Sequence, residues 1–122
     1  MLTTARLLVL ILGLLAASPA FADNWKDCES PSFYRALVGC SGIINDNGAT
    51  RENRAIAFYK RGDVYDKQGH YEKALADYQK AIAAYPSTGK LHNKLKESIS
   101  LIESKLRVQQ KLLAESPFRK SY

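Results

Sequence analysis

From about residue 30 onward, apolar residues recur every three or four positions, and nowhere do they alternate with polar ones long enough to make a strand. Four helical segments follow from this pattern. Behind Ser30-Pro31, a capping residue with proline at the first helical position, Phe33, Ala36, Leu37, Cys40, Ile43 and Ile44 form one apolar face. Asn45-Asp46-Asn47-Gly48 ends that helix. Thr50 caps a second one, whose apolar face is Ala55, Phe58, Val64 and Tyr65, and Gly69 is suited to the left-handed residue after its last turn. A third runs from about Tyr71 to Tyr85 and stops at Pro86. Ser87 or Thr88 caps a fourth, which carries Leu91, Leu95, Ile99, Ile102, Leu106 and Leu113 as far as about Glu115, before Ser116-Pro117. The expected fold class is all-α: a short solenoid of antiparallel helix hairpins, its last helix long and capping.

The amino terminus is patterned differently. Arg6 precedes an unbroken apolar run from Leu7 to Ala17, followed by Ser18-Pro19 and Ala20-Phe21-Ala22. A membrane span needs about 20 apolar residues, and this run is much shorter, while Ala20 and Ala22 have the A-x-A spacing of a cleavage site. Residues 1–22 therefore read as a secretory signal peptide cut near Ala22-Asp23, which makes the protein periplasmic or secreted. The alternative, an anchor that is kept, is opposed by the short core and by Pro19. Lipid attachment at Cys28 is opposed by its polar surroundings, well past the apolar core.

Within the second and third helices, Phe58, Arg61-Gly62, Tyr65, Ala74, Tyr78 and Pro86 are spaced like the aromatic, Leu-Gly, Tyr, Ala, Phe and Pro signature of a helical repeat of about 34 residues. Gly69, Tyr71 and Ala81 match further positions. This segment resembles the tetratricopeptide repeat. Gly62 and Ala74 are small where two helices cross closely, and Tyr65, Tyr71 and Tyr78 fill the space between neighbours. Arg61 departs from the family's Leu; it is expected to lay its methylenes on Tyr65 and send its charge to solvent.

A single repeat cannot cover its own faces, so the flanking helices must do so. Ala36 and Cys40 precede Ala74 and Tyr78 by 38 residues, as in the second helix of a degenerate repeat whose first helix is missing. The chain divides accordingly: 1–22 signal peptide, 23–54 amino-terminal segment with the degenerate helix, 55–88 the complete repeat, 89–116 a capping helix, and 117–122 a tail. Charge follows these divisions. Residues 23–88 hold nine basic and nine acidic residues, whereas 89–122 hold eight and three, so the excess lies in the capping helix and tail.

Two cysteines in an exported chain suggest a disulfide, Cys28 to Cys40. If the first helix starts at Pro31, Cys40 lies about 13 Å along its axis and the bond is hard to close; a start nearer Phe33 gives slack. The alternative is Cys40 as a core residue and Cys28 free. His70 and His92 have no second ligand at helical spacing and read as surface residues, so no metal is expected. There is no phosphate-binding glycine loop, nucleophile elbow or cysteine–histidine pair, and neither an enzyme nor a cofactor is expected.

Binding remains. The resemblance implies a groove lined by the first helix of each repeat, at positions that fall here on Ile56, Tyr59, Asp63, Asp66 and Lys67, with Lys90, Asn93 and Glu97 on the capping helix. The partner would be a protein or peptide, with the aspartates drawing a basic segment. The family's Lys and Asn clamp for a terminal carboxylate is lacking. On the capping helix Leu95, Ile99, Ile102, Leu106, Gln109 and Leu113 alternate by four and three, flanked by Lys94, Lys96, Lys105, Arg107 and Lys111. That stripe suits self-association, docking of a partner helix, or an anionic membrane surface. Nucleic acid is an improper partner for an exported chain, however basic its end.

Overall fold

A computed structural model of the chain describes residues 19–85 and 88–120. The apolar run from Leu7 to Ala17, Pro86 and the expected cap Ser87 lie outside the described residues. Five α-helices follow one another: α1 (Pro19–Cys28), α2 (Phe33–Asn45), α3 (Arg51–Lys67), α4 (Tyr71–Ala84) and α5 (Lys90–Glu115), with a 3-10 turn at Pro117–Lys120. Each packs chiefly on the one before and the one after, as in a solenoid.

Local signals account for several helix ends. Thr50 caps α3, its hydroxyl accepting from the Asn53 amide at 3.1 Å. After α3 the chain turns at Gly69, whose φ of 77° is left-handed. The His70 amide reaches back to the Tyr65 carbonyl at 2.9 Å and the Gly69 amide to that of Asp66 at 2.9 Å, which satisfies two carbonyls left open at the end of α3. Two expected caps are corrected. α2 begins at Phe33 behind Ser32, not at Pro31, since the Ser30 hydroxyl is used to hold the Ser32 amide. α5 begins behind Gly89 rather than Thr88.

A helix that the sequence pattern did not predict, α1, precedes α2. It closes on α2 where α2 is smallest. A Cβ added at Gly39 would run into the backbone of α1, including the Asn24 carbonyl oxygen at 2.6 Å, and one at Gly42 would strike the Asn24 side chain. The disulfide Cys28–Cys40 clips the two helices together, with Cα atoms 4.5 Å apart. The α2 start at Phe33 supplies the slack that bond needs. Asp27 pairs with Arg35 across the same turn, and Glu29 reaches Lys60 on α3 at 3.2 Å.

Two apolar clusters result. Cys28, Cys40, Ile43 and Ala57 are buried, with Phe21, Trp25, Ile44 and Ala49 packed around them. Ala74, Tyr78, Ala81, Leu95 and Ile102 make the second. At its centre α3 and α4 cross closely: a Cβ on Gly62 would lie 2.7 Å from the Tyr78 ring.

The Arg61 charge does not go to solvent. Its Nε and Nη2 donate to the two carboxylate oxygens of Asp77 on α4, at 2.7 and 2.9 Å, and Nη1 donates to the Ser41 hydroxyl on α2 at 2.9 Å. Asp77 is 3% exposed and is the only buried charged residue among the described ones. The reason for the reversal is this carboxylate, two turns into α4, where the fork of a guanidinium finds both oxygens at once. One residue thereby ties three consecutive helices together.

Candidate functional site

The residues that the resemblance assigns to the groove lie on the side of α3 that meets α5. Ile56, Tyr59, Asp63 and Asp66 are half-buried there, and Lys67 is exposed, as are Lys90, Asn93 and Glu97 on α5. Three of them are engaged within the chain. The Tyr78 hydroxyl donates to Asp63 at 2.6 Å. Burial, and then that bond, push the Tyr78 phenol well above the ordinary tyrosine range. Lys105 reaches Asp66 at 2.6 Å and stands 5.5 Å from the Tyr71 ring centre. The Tyr59 ring lies 5.9 Å from that of Tyr78, and the Lys94 ammonium sits 5.2 Å above it. The Tyr59 oxygen raises the Lys94 pKa.

The basic group for which Asp66 is suited is thus supplied by α5 itself. Of the expected groove residues, Tyr59 and Asp66 meet α5 and Asp63 meets α4, and what stays open is further along α5. Leu101, Lys105, Val108, Leu112 and Leu113 line, with Tyr71, a groove of about 580 Å³. Leu101, Val108 and Leu112 are 53%, 59% and 64% exposed. Sequence reasoning missed these three. Their signal was a second stripe on α5, at i, i+7 and i+11, running beside the buried one through Leu95 and Ile102.

His70 is exposed; His92, expected at the surface, is half-buried with Nδ1 lacking a hydrogen-bond partner among the described residues. Among those residues no group of three or more histidine, cysteine, aspartate or glutamate side chains could hold a metal ion, and no helix is long and apolar enough to cross a membrane.

Small residues at the α3–α4 crossing, a left-handed Gly69 and an aromatic Tyr78 wedged against Gly62 are the features of one repeat class, and the sequence scan agrees. The family model for the tetratricopeptide repeat matches residues 55–87. These residues are similar to a tetratricopeptide repeat. No significant match to a curated protein or to a solved structure was found. Repeats of this kind generally serve protein–protein interaction, and here α1–α2 and α5 pack on either side of the matched residues.

Proposed function

We propose that the protein is an exported adapter that binds another protein through the open end of its repeat stack. The observation that carries this reading is the uncovered apolar stripe of α5, Leu101, Val108 and Leu112, set beside Tyr71 in a groove deep enough for side chains of a partner helix. Asp66 and Tyr59 serve the same surface by meeting Lys105 and Lys94 of α5, while Asp63 holds the Tyr78 hydroxyl of α4. Export is supported by the leader pattern of residues 1–22 and by the Cys28–Cys40 disulfide, a bond that persists in oxidising compartments. The expected cut before Asp23 falls within α1: it removes Phe21, which packs on Trp25, and keeps Asn24, Trp25 and Cys28.

The test is affinity capture from an envelope fraction with the wild-type protein, Leu112→Ser and Val108→Ser, each checked for helix content. Loss of the captured partner in both variants supports the reading. Retention of every partner by both refutes it.

A second reading has its own observation. From Leu113, at the end of the groove, the apolar surface continues to Phe118; the two are 62% and 84% exposed. Self-association, or contact with an anionic membrane, would cover them. Sedimentation equilibrium and vesicle flotation decide this: a monomer that does not float removes it.

A further inference from the structure

The side of α3 turned away from α5 has a composition that the neutral total of residues 23–88 conceals. Along the face that α3 and α4 form together, cations and aromatic rings alternate. Lys80 stands 5.5 Å from the centre of the Phe58 ring, the Arg61 guanidinium 5.6 Å from Phe58 and 5.9 Å from Tyr65, and Lys73 5.5 Å from Tyr65. At one end of this row Arg51, Arg54, Phe58, Lys80, Ala83 and Ala84 line a depression of about 570 Å³.

Negative charge is scarce here. Asp77 is buried, and both of its oxygens are taken by Arg61. Among the described residues Arg51, Arg54, Lys73 and Lys80 have no carboxylate within 4.0 Å. Both free guanidiniums are nevertheless held in place: Arg51 donates to the Ala83 carbonyl at 3.2 Å and Arg54 to the Asp46 carbonyl at 3.0 Å. A guanidinium has five N–H donors, so most remain unspent.

We propose that this α3–α4 face is a second binding surface, which takes an acidic peptide segment of a partner protein. Carboxylates meet Arg51, Arg54 and Lys80 above the Phe58 ring, and the chain continues over Tyr65 toward Lys73. Spacing favours a peptide over a lone anion. Lys73 and Lys80 are two turns apart on α4, about 10 Å, which a single carboxylate cannot span but a chain bearing several can. This surface is separate from the α5 groove, and either assignment can fail without the other.

The probe is a fluorescein-labelled hexaglutamate peptide, titrated with the disulfide-bonded protein and followed by anisotropy at low and at moderate salt. Binding is expected, weakening as salt rises. Arg54→Gln and Lys80→Gln should each weaken it about fivefold, the effect of one partly exposed charge pair. Lys96→Gln and Lys111→Gln on α5 remove the same charge elsewhere and should leave it unchanged. An equal loss in the α5 variants would reduce the effect to net charge and overturn the proposal. So would binding to anionic phospholipid vesicles that depends on Arg54 and Lys80 while the peptide does not bind. Because Arg54 also holds Asp46, Lys80→Gln, whose side chain makes no hydrogen bond among the described residues, keeps the test decisive if Arg54→Gln is poorly folded.

Discussion

Replacing Arg61 by leucine, the residue common at this position of the repeat, should damage this protein. Leucine would repack against Phe58 and Tyr65, so little apolar contact is lost. Asp77, however, would stay 3% exposed without the two donors that now take its oxygens. Removing one partner of a buried pair costs about 3–5 kcal/mol, because the other charge is left uncompensated. The Arg61 side chain keeps 18% of its exposure, which lets some water in and favours the lower figure of about 3 kcal/mol. For a domain of this size that is a large part of a total stability of about 5–15 kcal/mol and corresponds to a fall in Tm of about 12–24 °C. Arg61→Leu combined with Asp77→Ala removes both charges and should return to within about 1 kcal/mol of the wild type. Urea unfolding followed by helical circular dichroism, over the full double-mutant cycle, measures the coupling. A single variant that loses less than about 1 kcal/mol, or a double variant no better than the single, would refute the argument that the pair is a buried structural tie.

Three further outcomes follow. Tyr78 keeps its proton in the folded state at pH values where an unfolded tyrosine, with its pKa near 10, has lost it, so its contribution is intact below about pH 10 and declines above that at about 1.4 kcal/mol per pH unit; alkaline unfolding of Tyr78→Phe should show a shallower decline than the wild type. Reduction of Cys28–Cys40, which closes a separation of 12 residues, should cost about 3 kcal/mol and release α1 first, visible as loss of amide protection in Trp25 to Cys28 while α3 and α4 keep theirs. Gly39→Ala should detach α1 from α2 for a different reason, the collision with the α1 backbone, and should change Trp25 fluorescence more than a control substitution at Gly48.

The repeat was legible because its signals are steric and sit at fixed positions: Gly62 under Tyr78, Ala74 and Ala81 in the core, Gly69 in the turn. Helix α1 was not legible. Asn24, Lys26 and Asp27 dilute any apolar stripe, and Pro19 to Ala22 carry the marks of a cleavage site. Its trace lay on α2, in Gly39 and Gly42, which share a face and make sense only if a neighbour comes close. Arg61 was misjudged because its partner is sixteen residues away on another helix, a distance that a helical wheel does not show. Of the groove positions, Tyr59 and Asp66 meet α5. What occupies them was hidden for a similar reason: Lys105 lies beyond the length of a normal repeat helix, and only the course of α5 shows that it returns to Asp66. The cationic row on the opposite side was invisible to any sum of charges, since the acids that balance it point elsewhere.

With 26 residues against 17 for α3, α5 overhangs the stack. Its root is clamped at Leu95 and Ile102, and its outer turns have no helix beneath them, so they behave as a cantilever. Amide exchange along α5 should then speed up in steps from Ile102 outward, each turn opening at the modest cost of an isolated helix end rather than with the core. A partner gripping Leu112 would stiffen the beam and load its clamp, the Lys105–Asp66 contact, so that an event at the free end would be felt inside the repeat.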